Sequence, residues 1–220
     1  MRVFGSATIL IALCIIFFAN IAMAQNQDFG RFGFEVEGGP FWISRNDVRI
    51  PPEGGTEISL LDLTSKGPKA YFRVYANVNL ARKHSLRFLA APLRSKGTGD
   101  FSESVFFVDK TFAPDTETEG IYEFNTYRIT YGYSFLDRET WKLKIGAAGL
   151  VRDAKIELRQ QGTVAKDTDL GFVPLIFFQT RNNLTDKAFF VFDFEGLGSP
   201  QGRAFDVSAK IHYRLTDKLN

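Results

Sequence analysis

Between residues 70 and 80 every second position is apolar: Ala70, Phe72, Val74, Ala76, Val78 and Leu80 alternate with Tyr71, Arg73, Tyr75, Asn77 and Asn79. Phe205, Val207, Ala209, Ile211, Tyr213 and Leu215 repeat the pattern against Asp206, Ser208, Lys210, His212 and Arg214. Successive side chains of a strand point to opposite sides of a sheet, so a period of two predicts strands with two unlike faces. Length then narrows the solvent. A strand in a soluble protein averages about 5–6 residues, whereas a tilted strand crossing a bilayer needs roughly 9–11. These stretches have the longer length, and their apolar face is expected to meet lipid.

The same alternation predicts eight strands joined by three tight turns and four longer loops. A first strand at about residues 30–43 sets Phe32, Phe34, Val36 and Trp42 against Arg31, Glu35 and Glu37. Residues 46–68, rich in Pro, Gly, Asp and Glu, read as a long loop before the 70–80 strand. Ala81-Arg82-Lys83-His84 reverses the chain into a strand bearing Leu86, Phe88 and Ala90, and residues 95–120 form the second long connection. Within it, Val105-Phe106-Phe107-Val108 is expected to extend a hairpin beyond the membrane. Tyr127, Ile129, Tyr131, Tyr133 and Phe135 mark the fourth strand, and Asp137-Arg138-Glu139-Thr140 turns it into Trp141, Leu143, Ile145 and Ala147. The alternation slips between Val151 and Ile156, where a bulge or the exit from the membrane is expected. A polar third loop at about residues 160–167 leads to Leu170, Phe172, Pro174, Ile176 and Phe178. Proline removes a ladder hydrogen bond, so Pro174 predicts a bend or bulge. Leu184-Thr185-Asp186-Lys187 makes the next tight turn, Phe190, Phe192 and Phe194 follow, and a glycine-rich loop at 196–202 precedes the eighth strand.

The N-terminus agrees with an outer-membrane reading. Arg2 precedes an apolar run from Ile9 to Ala19, and Ala22-Met23-Ala24 supplies small residues for cleavage, so residues 1–24 read as a signal peptide and 25–220 as a single outer-membrane barrel domain. The run is shorter than the roughly 20 apolar residues a spanning helix needs. A lipidated Cys14 would have the bulky Leu13 before it. Cys14 is the only cysteine, so the mature chain is expected to hold no disulfide and no thiolate site. With no later segment apolar enough for a helix, a closed barrel is the remaining way to satisfy backbone in lipid. A net charge of +2 excludes the bulk basic field of a nucleic-acid binder.

Short turns on one side and long loops on the other are the asymmetry of outer-membrane barrels, whose chain ends share the periplasmic side when the strand number is even. Tyr133, Phe135, Trp141 and Tyr213 then fall near the short-turn end and Trp42 near the long-loop end, as interfacial aromatic girdles require. Across nearly the whole mature chain the pattern resembles the small outer-membrane β-barrel proteins of the OmpA and OmpX type. That resemblance implies an all-β, antiparallel up-and-down transmembrane barrel in a Gram-negative outer membrane. Its partners would be lipid, lipopolysaccharide and the barrel-assembly machinery. Such barrels usually end on a strand with a terminal aromatic, whereas here Tyr213 and Leu215 are followed by Thr216-Asp217-Lys218-Leu219-Asn220. The Leu-Thr-Asp-Lys turn is followed by a strand in its first copy, which keeps a truncated ten-stranded barrel open beside the eight-stranded one.

If the apolar face meets lipid, the other lines the lumen. It carries Arg31, Glu35, Glu37, Arg73, Arg87, Arg128, Lys144, Asp193, Glu195, Lys210, His212 and Arg214, with Lys142, Arg181 and Asp206. Mixed signs suggest mutual pairing, and an eight-stranded bore is just wide enough to be filled by side chains. A charge-paired plug is therefore expected, with a structural or surface-interaction role carried by the loops. A porin-like small channel for solutes or ions would rather need a ring of one sign. A lipid-modifying hydrolase needs a nucleophile beside a base, yet Ser208 and His212 lie about 13 Å apart along a strand, His84 falls at a turn, and no cofactor or metal motif is present. Acidic loop residues Asp109, Asp115, Glu117 and Glu119 lack the spacing of a calcium loop. The remaining alternative is a soluble, lipocalin-like periplasmic barrel with its apolar face turned inward.

Overall fold

The structure, a computed structural model, describes residues 32–199 and 202–215. Arg31, the signal-peptide region and residues 216–220, with their bearing on a tenth strand, lie outside the described residues. In chain order the elements are β1 (Phe32–Phe41), a small hairpin of β2 (Asp47–Arg49) and β3 (Glu57–Ser59), α1 (Leu61–Thr64), β4 (Lys69–Ala81), β5 (His84–Ala91) and β6 (Arg94–Gly99). A second small hairpin of β7 (Val105–Phe107) and β8 (Lys110–Phe112) follows. The chain ends with β9 (Thr118–Asp137), β10 (Trp141–Gln160), β11 (Thr163–Asn183), β12 (Ala188–Ser199) and β13 (Gly202–Tyr213).

The fold is all-β. One antiparallel sheet runs β1-β4-β5-β9-β10-β11-β12-β13, with β6 continuing along β9 beyond β5. The eight strands of this path are those expected from the alternation, and the sheet curls into a half-barrel. Among the described residues no ladder joins β1 to β13. Side chains cross that seam instead: Lys210 on β13 reaches Glu35 at 2.8 Å and also pairs with Glu37, both on β1.

Several expectations about the loops are corrected. The third loop is absent, because β10 and β11 pair continuously to Gln160↔Thr163 around Gln161 and Gly162, whose φ of 47° and 86° make a two-residue hairpin turn. The 196–202 loop also shrinks, since β12 and β13 stay paired to Ser199↔Gly202. No bulge lies between Val151 and Ile156; the register shift of β10 against β9 is at Leu143/Lys144. Pro174 causes none either, as Gly149↔Pro174 sits in an unbroken ladder. The β11–β12 pairing starts only at Ile176↔Gly196, so at Pro174 β11 has one neighbour and a missing donor is tolerable. Val105–Phe107 does not prolong the β5 hairpin but pairs with β8 as a separate unit.

Both long loops fold. They pack on the concave side of the β6–β9–β10–β11 ribbon around a dry core of Ile58, Leu60, Leu63, Phe107, Phe112, Tyr122 and Leu158. Burial there pushes the Tyr122 hydroxyl up to about 12. Gln160 pins the β7–β8 loop to the ribbon by accepting from the Ala113 N–H at 2.8 Å and donating to the Ala113 carbonyl at 2.9 Å and to Thr118 Oγ1 at 2.8 Å.

Glycine is what lets α1 sit directly on the ribbon. A Cβ at Gly97 would strike the Leu63 carbonyl oxygen, and one at Gly120 would lie 2.9 Å from Leu63 Cβ. Gly97→Val should therefore lift α1 off the ribbon at a cost of about 1–3 kcal/mol, the usual penalty of overpacking. Limited proteolysis checks this, with faster cleavage within residues 46–68 and an unchanged far-ultraviolet β signal as the expected result.

Candidate functional site

Two features of the sheet could carry function, its outward belt and its charged concave face. The belt is apolar and exposed: Phe72 is 54% accessible, Val74 38%, Ile129 45% and Ile211 72%. From Trp141 to Val151 the outward row of β10 runs about 33 Å at about 3.3 Å per residue. At a tilt of about 40° that is about 25 Å of height, the band transmembrane barrels present to lipid.

Beyond this belt the faces exchange character without a break in register. Tyr127, Val151 and Phe172 share one outward rung across β9, β10 and β11. The next outward rung holds Asn125, Asp153 and Leu170, and the one after it Glu123, Lys155 and Thr168. Charges then pair over this surface: Lys155 Nζ lies 3.0 Å from Glu123, Lys96 Nζ 2.6 Å from Glu119, and Arg159 meets Glu157. Burial alone would raise the Glu157 carboxyl, but the hydrogen bond from Arg159 and the charges of Arg159, Lys155 and Lys166 outweigh it and hold it below its ordinary value. Over the same rungs the inward positions of β9 and β10 become apolar, with Phe124, Tyr122, Ile156 and Leu158, whereas β11 keeps Asp169 and Asp167 inward and Leu170 outward. The phase slip read between Val151 and Ile156 is this inversion of polarity, because an unchanged zigzag passes from one pair of environments to the reverse pair.

Inside the belt the concave face is built from ion pairs between strands remote in the chain. Arg87 on β5 bonds Asp193 at 2.8 Å and Glu195 at 3.0 Å on β12, and its guanidinium stacks 5.0 Å from the Phe177 ring. Arg128 on β9 pairs with Glu195 and with Asp206 on β13. Glu195 also accepts from Thr130 Oγ1 at 2.6 Å. Arg73 lies 3.6 Å from Asp206, and the Tyr75 hydroxyl donates to Glu37 at 3.0 Å. The structure thus brings Glu35, Glu37, Arg73, Arg128, Asp193, Glu195 and Lys210 into one network. Toward the short-turn end Lys144 shares a rung with Asp193 through Gln179, and Arg214 donates its backbone N–H to the Lys187 carbonyl. There His212 lies flat on Phe189, with centroids 4.6 Å apart, while Ser208 is opposite Asp193. His84 Nδ1 contacts the Tyr131 hydroxyl at 2.6 Å at the turn.

Of the aromatic positions, Trp42, Phe135, Trp141 and Tyr213 are exposed, and Tyr133 lies against His84 with centroids 5.3 Å apart. Sequence reading missed that the interior is partly apolar: Leu89, Ala148, Leu175 and Phe177 are buried. A signal was present, since Phe172-Val173-Pro174-Leu175-Ile176-Phe177-Phe178 is continuously apolar rather than alternating, as in a strand apolar on both faces. Comparison with protein-family models and with curated proteins returned no match.

Proposed function

We propose that this chain is an integral outer-membrane β-barrel protein, closed in lipid along the β1–β13 seam and without catalytic activity. Its charge-paired lumen holds the cylinder in shape, and its folded long loops offer a contact surface. The observation that carries this reading is the exchange of polar and apolar faces on the neighbouring strands β9 and β10 beyond the Tyr127-Val151 rung. One strand could lose its pattern by accident; an aligned change across adjacent strands marks a plane, as the edge of a hydrocarbon layer would. Closure follows from the same physics, because unpaired backbone groups cost several kcal/mol each in hydrocarbon and Lys210 already links the two edges.

Conduction is less favoured. A solute path would have to cross the Arg87, Arg128, Asp193, Glu195 and Asp206 network and then the dry core around Phe107 and Phe112. A lipid-modifying role is less favoured, because His212 is stacked on Phe189 and Ser208, on the same strand face, is opposite Asp193. The outward exposure of Phe72 and Ile211 argues against an inward apolar, lipocalin-like barrel.

Cell fractionation followed by electrophoresis of unheated and boiled samples tests the proposal. The expected result is an outer-membrane band that needs detergent for extraction and changes mobility on boiling. A periplasmic band without that change would overturn it.

A further inference from the structure

Three short turns lie at one end of the sheet, and they differ in charge. Asp137-Arg138-Glu139-Thr140 and Leu184-Thr185-Asp186-Lys187 mix acids with bases, whereas Ala81-Arg82-Lys83-His84 holds no acid. Arg82 and Lys83 are exposed, and among the described residues neither has a carboxylate within 4 Å. Asp137, on the neighbouring turn, is taken up by Lys142 at 3.4 Å. The Ser134 N–H donates to the Lys83 carbonyl at 2.8 Å, which fixes the basic turn against β9. Beside that turn the outward side chains converge. His84 is opposite Tyr133 in the ladder, and its ring lies 5.3 Å from that of Tyr133 and 5.9 Å from that of Tyr131. Lys83 Nζ stands 5.9 Å from the centre of the Tyr133 ring, so the ammonium and the imidazole share one aromatic support. On the next outward rungs Leu86 is opposite Tyr131 and Phe88 opposite Ile129, which places the group at the end of the apolar belt.

We propose that Lys83, His84 and Tyr131, with Arg82, bind the phosphate of a glycerophospholipid in the leaflet on the short-turn side. Acyl chains lying on Leu86 and Phe88 bring the phosphodiester to the level of His84 and the turn, the depth at which interfacial aromatics meet headgroups. His84 Nδ1 and the Tyr131 hydroxyl are 2.6 Å apart and share one proton. A neutral imidazole and a phenol bring two protons to that pair, so whichever group donates, one N–H or O–H is left over for a ligand. It joins the Lys83 ammonium, which rests by the Tyr133 ring and keeps its N–H donors for acceptors. Charge-assisted bonds from such donors are the strong ones for phosphate oxygens. Groups already ordered against a ring lose little freedom on binding.

The inference rests on the barrel reading above, and its test separates the two. The folded chain, stripped of lipid in a non-ionic maltoside detergent, is studied by native mass spectrometry with added dioleoylphosphatidylglycerol. Dioleoylglycerol, with the same acyl chains and no phosphate, is the comparison. Heat-dependent mobility is read on the same samples, so a chain that is not a folded barrel is recognised independently. The expected result is selective retention of the phospholipid, weakened about tenfold by Lys83→Gln, as loss of one charged hydrogen bond implies, and several-fold by His84→Phe. Lys187→Gln, the same change of charge on another short turn, should leave retention unchanged. A folded chain that retains neither lipid or both equally would overturn the site. So would retention that Lys83→Gln and His84→Phe leave intact, an equal loss in Lys187→Gln, or displacement of the lipid by inorganic phosphate at equal concentration.

Discussion

Replacing Arg128 with methionine is expected to cost about 3–5 kcal/mol of stability, the range for removing one partner of a buried ion pair. Its side chain is 3% exposed and that of Glu195 4%, so the carboxylate left behind cannot recover its hydration. Arg87 and Thr130 remain on Glu195, but Asp206 falls back on Arg73 at 3.6 Å. The double change Arg128→Met with Glu195→Leu should recover much of the loss, because a neutral pair of similar volume carries no desolvation penalty. Urea unfolding of the chain in detergent or liposomes measures both. A single substitution costing under about 1 kcal/mol, as for an exposed pair, would mean that the network is solvated and does not brace the sheet.

The second large effect is depth-dependent. Ile129→Arg places a charge in the middle of the outward belt, where a cationic substitution on a lipid-facing barrel position costs about 2–4 kcal/mol. Asn125→Arg, four residues along the same face and beyond the inversion, should cost about 0–1 kcal/mol. The contrast is diagnostic because Ile129 is already 45% accessible. In water, an arginine at such an exposed position would change stability by only about 0.5 kcal/mol. Equal, small effects at residues 125 and 129 would therefore place the belt in water.

What the sequence made legible follows from the period of two. The strands around Ala70–Leu80 and Phe205–Tyr213 are found because one environment lies on each face along their whole length. The same rule hid the true extent of β9 and β10. Beyond Tyr127 and Val151 the two faces swap environments, and a pattern search with one fixed phase reads that as the end of a strand. The turn at Gln161-Gly162 was lost in the same way, since the flanking Glu157, Arg159 and Lys166 look like loop residues until their ladder partners are known. The folded caps were harder to foresee. Ile58, Leu63 and Phe107 are isolated apolar residues in short segments, and only their meeting on the ribbon, with Gly97 and Gly120 making room for α1, turns them into a core. Residue types on the concave face were readable by parity alone, but their pairing depends on which strands curl to face each other.

Accessibility of nitroxide labels at Val151→Cys and Asp153→Cys, adjacent outward positions on β10, tests the membrane plane most directly. With the chain reconstituted in bilayers, the label at 151 should collide preferentially with dissolved oxygen and the label at 153 with a water-soluble nickel chelate. Equal access of the chelate to both positions would contradict an apolar boundary between them.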